Sequence, residues 1–160
     1  MTTPDLDDMH KALGEFLTEI GRVEFNMLLV MDLFNEVGLE HLFDVYAPKT
    51  FGPKVDCMKA WCPASEFAEP NRTILERVYK DLEILLPNRN YIVHGETWEG
   101  TFKGKPKQPY RVGVIKENLD YLDEFDRAKH GPNVFDVEQV REVTRLCSKI
   151  LAELKTIRGK

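Results

Sequence analysis

Three side chains in the stretch PNRNYIVHGETW (residues 87–98) have the chemistry to act on a phosphodiester: Arg89, Asn90 and His94. Histidine titrates near neutrality and so can accept or donate a proton at physiological pH. A guanidinium is permanently charged and grips a phosphate at two points. An asparagine amide can orient either group. On a helix Asn90 and His94, four residues apart, share one face, and Arg89 begins the same turn. Together they supply what cleavage of a ribose–phosphate chain needs without a metal: proton transfer at the 2′-hydroxyl and leaving oxygen, and a cation on the phosphoryl oxygens. One imidazole cannot remove and deliver a proton at the same instant; a two-fold pair of chains would supply the second. The bland alternative is that Arg89 and Asn90 cap and brace a helix end, His94 is hydrogen-bonded to the preceding helix, and Gly95 is the stop.

Those residues must be positioned by helices. Met9, Leu13, Phe16, Ile20, Val23, Met27, Val30, Phe34 and Val37 recur at gaps of four and three, which predicts a long helix over 5–37. Thr3 is placed to cap it, Pro4 to open it, and Gly38 to end it. Leu17, Leu28, Leu29 and Leu33 widen its apolar surface beyond one stripe, as expected of a helix with its own core on one side and a second subunit on the other. Gly14 and Gly21 either weaken this helix or permit close packing.

Residues 53–61 read as a short helix and 71–86 as a longer one, with Pro87 stopping or kinking the latter before the motif helix. Two strands near 98–104 and 110–115 are expected to form a hairpin. The last helix, 137–157, buries Val137, Val140, Val143, Cys147, Ile150, Leu154 and Ile157, with Asp136 and Gln139 as a capping pair. The fold class expected is all-α: a helical bundle with long N- and C-terminal helices and a small β-hairpin insertion after the motif helix, in a single domain of 160 residues.

The string RNYIVHG (residues 89–95) resembles the signature of the HEPN superfamily, the higher eukaryotes and prokaryotes nucleotide-binding domains. That signature is an arginine, commonly followed by a polar residue, then a histidine after four to six intervening positions; here there are four, and Asn90 holds the polar place. The segment TFGPKVD (residues 50–56) is similar to the loop-and-helix entry before the motif in stand-alone members. The resemblance implies a helical homodimer with two motifs facing across a cleft where RNA is cut. It implies His94 as general acid and base, Arg89 as phosphate clamp and Asn90 as orienting group. It also implies a toxin–antitoxin or other defence setting, with an antitoxin or regulatory protein as partner. The rival reading is a non-catalytic helical dimer that binds a partner or a nucleotide.

The formal net charge of −5 argues against indiscriminate nucleic-acid binding, but residues 101–116 carry Lys103, Lys105, Lys107, Arg111 and Lys116 with no acid among them. Lys103, Lys105, Lys107 and Arg111 are therefore candidate RNA contacts, and Trp98, Phe102 and Tyr110 either stack bases or pack on the protein. Glu96 and Thr97 are placed to tune His94 or touch substrate, or are ordinary surface residues. Cys57 and Cys62 lack the paired spacing of a zinc site, with His41 too distant to help, so no metal and no cofactor is expected. An odd cysteine count, a polar acidic start and no apolar run long enough for a bilayer lead to the expectation of a cytoplasmic protein with free thiols and no membrane contact.

Overall fold

In the computed structural model, residues 2–102, 104–113 and 134–157 are described. The chain is mostly helical with a small three-stranded antiparallel sheet, so it is not strictly all-α. Among the described residues the elements, in chain order, are α1 (Leu6–Phe34), α2 (Leu39–Tyr46), α3 (Phe51–Trp61), a 3-10 turn (Ala64–Glu66), α4 (Asn71–Val93), β1 (Glu96–Gly100), β2 (Gln108–Val112), β3 (Val134–Phe135) and α5 (Val137–Ile157). By contacts it divides into two compact units: Met1–Leu17 with Pro87–Arg145, and Thr18–Leu86 with Leu146–Lys160.

Local chemistry fixes where the helices begin and end. Asp5, not Thr3, caps α1: the Asp8 N–H donates to Asp5 Oδ1 and the Asp5 N–H to Asp8 Oδ2, both at 2.9 Å. The helix stops three residues before the expected Val37, where the Asn35 side-chain amide turns back onto the Met31 carbonyl at 2.8 Å. Gly38 then adopts φ 87°, a left-handed conformation, and leads into α2, whose eight residues are too few for a periodicity to stand out. The α5 bounds agree with the sequence expectation, and its capping pair is reciprocal. The Asp136 N–H donates to Gln139 Oε1 at 2.9 Å, and the Gln139 N–H to Asp136 Oδ1 at 2.8 Å.

α4 does not stop at Pro87. It runs unbroken from Asn71 to Val93, so the motif lies in its final turns and not in a helix of its own. Proline removes the donor that would serve the Glu83 carbonyl, and both Glu83 and Pro87 are exposed, which puts that carbonyl on the solvent side.

The unit containing α2 and α3 holds a core of Ile20, Val23, Met27, Leu42, Val55, Met58, Leu75, Val78, Leu82 and Leu154, among others. Fully burying each such side chain contributes roughly 1.5–3 kcal/mol before entropy is subtracted. Within it, Arg77 meets Glu153 at 3.0 Å and Lys149 meets Asp81 at 2.9 Å, pairing α4 and α5 in antiparallel order. Tyr46 donates its hydroxyl to the Glu24 carbonyl at 2.6 Å, and Tyr79 donates to the Cys62 carbonyl. Cys57 is half-buried, Cys62 and Cys147 are buried, and all three are free thiols. The same unit leaves Leu33, Val37, Leu39 and Phe43 between 42% and 54% exposed, four large apolar side chains within eleven residues of chain.

In the other unit the strands lie two residues earlier than expected at their starts, and β2 also pairs with a third strand. The order is β1-β2-β3, with Thr97 opposite Arg111, Trp98 opposite Tyr110 and Val112 opposite Val134. Two residues of β3 are too few to show alternation, so sequence alone gave no sign of it. Tyr110, Val112 and Val134 form the buried centre, with Trp98 and Phe102 packed against it. No described helix is long and apolar enough to cross a membrane.

Candidate active site

The end of α4 presents the motif. The His94 N–H donates to the Asn90 carbonyl at 3.0 Å, which carries the helical pattern one residue past Val93. Asn90 and His94 are both exposed and, four apart, project from one face. Arg89 is half-buried, and its Nη1 donates to Asn90 Oδ1 at 3.2 Å, so guanidinium and amide are already associated. Among the described residues nothing hydrogen-bonds the His94 ring, and the expected alternative of a histidine tied to a neighbouring helix is not what this arrangement contains.

Gly95 follows directly on the helix end, and glycine is required there by close packing and not by a left-handed backbone. The described glycines with positive φ are Gly38 and Gly104, not Gly95. A Cβ on Gly95 would instead stand 2.5 Å from the Val112 carbonyl oxygen and 2.6 Å from that of Tyr91. Gly113 is equally confined, by the Tyr91 side chain at 2.7 Å. Two glycines thus let the end of β2 lie directly against the last turn of α4, a proximity that only the β pairing makes visible.

Arg111 completes that junction. From β2 its Nε donates to the Ile92 carbonyl at 2.8 Å, Nη1 to Thr97 Oγ1 at 3.1 Å, and Nη2 reaches the Val93 carbonyl at 3.5 Å. Burial pulls its pKa below the usual arginine value, and the nearby Glu96 charge opposes that shift. This residue, expected as an RNA contact, has its donors directed at backbone and at Thr97.

The remaining basic residues of the hairpin differ among themselves. Lys105 Nζ bonds Asp136 Oδ2 at 2.9 Å while its side chain stays about half exposed, and that carboxylate holds the lysine pKa above its ordinary value. Lys107 is exposed. Lys103 lies outside the described residues. The aromatics pack on one another: Tyr110 has its ring centroid 5.9 Å from Trp98 and 5.7 Å from Phe102, and is 1% exposed. Tyr110 therefore offers no face to a base; Trp98 and Phe102 are partly covered by it. Glu96 is exposed, whereas Thr97 serves Arg111. Among the described residues no group of three His, Cys, Asp or Glu side chains is placed to hold a metal ion.

In comparisons with known proteins, no family model, no curated protein and no solved structure matches the chain.

Proposed function

We propose that the chain is a HEPN-like helical-bundle protein that cuts RNA as a metal-independent endoribonuclease. The observation that supports it best is the trio at the end of α4: Asn90 and His94 exposed on one face, with the Arg89 guanidinium 3.2 Å from the Asn90 amide oxygen. In this reading the His94 imidazole takes the proton from a ribose 2′-hydroxyl. The freed oxygen forms a bond to phosphorus, the bond to the 5′-oxygen breaks, and Arg89 holds the charge that develops on the phosphoryl oxygens. The 5′-oxygen leaves with a proton from a second imidazole, supplied by His94 of a second copy in a two-fold dimer. The products are a 2′,3′-cyclic phosphate and a 5′-hydroxyl. Asn90 orients the guanidinium. Lys105 and Lys107 extend the cationic surface for RNA. A toxin or defence setting, with an antitoxin or regulatory partner, belongs to the family likeness and to this proposal only.

The exposed quartet Leu33, Val37, Leu39 and Phe43 favours a second reading, a non-catalytic module that binds a partner through an apolar surface. Incubation with single-stranded RNA in chelator separates the two. Cleavage by the wild type, with cyclic-phosphate ends, and its loss in folded His94→Ala and Arg89→Ala variants supports the enzyme. Equal inactivity of all three proteins overturns it.

A further inference from the structure

A helix ends with four carbonyls that lack helical donors, and the end of α4 shows how a fold can satisfy them. The Asn90 carbonyl receives the His94 N–H. For Ile92 and Val93 the helical donors would be the N–H groups of Glu96 and Thr97, but those residues belong to β1. The guanidinium of Arg111 reaches both carbonyls, at 2.8 Å and 3.5 Å, and anchors itself on Thr97 at 3.1 Å. A cation at a helix C-terminus is also favoured by the helix dipole. Gly95 and Gly113 bring the strand close enough for this contact, through the approach of Val112 to the turn.

We propose that Arg111 is the positioning residue of the motif: by clamping the last two α4 carbonyls to the hairpin it fixes the turn from which His94 projects. The inference rests on the ribonuclease reading of His94 for its kinetic consequence, but not for its structural one. It also separates Arg111 from its basic neighbours. A guanidinium has five donor hydrogens, and three donations here go to Ile92, Val93 and Thr97. Lys107, exposed in the same hairpin, is the contrasting case of a cation facing solvent.

The test compares Arg111→Ala, Arg111→Lys and Lys107→Ala with the wild type, using single-stranded RNA over a salt series. Amide hydrogen exchange of residues 91–97 and the His94 ring resonances are followed in parallel. For Arg111→Ala the expected result is a kcat lower by about 100-fold, the scale of a 1 Å misplacement, with KM and its salt dependence unchanged. Amide exchange in that turn accelerates by about tenfold and the His94 resonances shift. Arg111→Lys, which keeps the charge and the fold but lacks the planar fork, falls between the two. Lys107→Ala leaves exchange and resonances unchanged and weakens the salt dependence of KM.

If Arg111→Ala instead raises KM, flattens the salt slope by about one and leaves kcat and the exchange pattern intact, Arg111 is a phosphate contact and the proposal is overturned. Unaltered exchange and His94 resonances in both Arg111 variants overturn it as well. If the wild type cuts no RNA, the ribonuclease reading fails, and exchange and resonances still decide whether Arg111 orders the turn.

Discussion

Gly95→Ala is the most direct probe of how the hairpin meets the motif helix. The added methyl would stand 2.5 Å from the Val112 oxygen and 2.6 Å from the Tyr91 oxygen, and both obstacles are backbone. Neither a rotamer change nor a flexible side chain can relieve the overlap. Restoring even a tight contact needs a shift of about half an ångström between the strand and the turn, and overpacking of this kind costs about 2–3 kcal/mol. At about 2–4 °C per kcal/mol for a chain of this length, the melting temperature should fall by about 5–10 °C. Differential scanning calorimetry of wild type and Gly95→Ala measures this directly, with urea midpoints as a second estimate. A melting temperature within about 2 °C of wild type would refute the reasoning, since it would mean that β2 does not lie against the α4 turn as described. Partial relief by separation of the strand should also appear as faster amide exchange at Val112, which identifies the overlap as the source of the loss.

Three further outcomes follow from helix entropy and from burial. Gly14 and Gly21 lie in the interior of α1, where among the described residues an added methyl would meet nothing within 4 Å, so alanine at either site should stabilise the folded chain by about 0.5–1 kcal/mol. A loss of stability that grows with protein concentration would place another chain on that stripe and reverse the sign. Burial pushes the Cys62 thiol up to about 11 and the Cys147 thiol up to about 12 from an ordinary 9.0, so the folded state holds these protons longer than the unfolded one. Their contribution to stability is thus complete below pH 9.0 and is lost as pH rises toward those values, which an alkaline series of urea midpoints measures. A thiol reagent near neutral pH should label half-buried Cys57 first and reach the other two on unfolding; rapid labelling of all three would contradict their burial.

What the sequence made legible was whatever repeats or sits in a recognisable local pattern. All seven apolar residues expected on one face of α5 are buried, because a strict three-and-four spacing leaves a helix one choice of inner face. In α1, Met9, Phe16, Ile20, Val23, Met27 and Val30 are buried, whereas Val37 falls beyond the end that Asn35 imposes. The α4 continuation through Pro87 was harder to read, since proline opposes a helix locally and only its exposed placement opens the freed Glu83 carbonyl to water. β3 is shorter than any periodic signal. Arg111 illustrates a different limit: its charge is visible in the sequence, but its direction depends on the pairing with Thr97 and on the approach of the strand to α4. Arg89, Asn90 and His94 were legible as a group because helical spacing alone brings them together.

Tyr46 and Tyr79, each tied through its hydroxyl to a main-chain carbonyl, make the folded molecule its own optical gauge. Burial raises both phenols above the ordinary tyrosine range, so neither ring turns to phenolate while its bond to the backbone holds. In base, phenolate absorbance from these two rings should therefore grow only when the native state gives way. Their rise reports loss of the folded state without any attached dye.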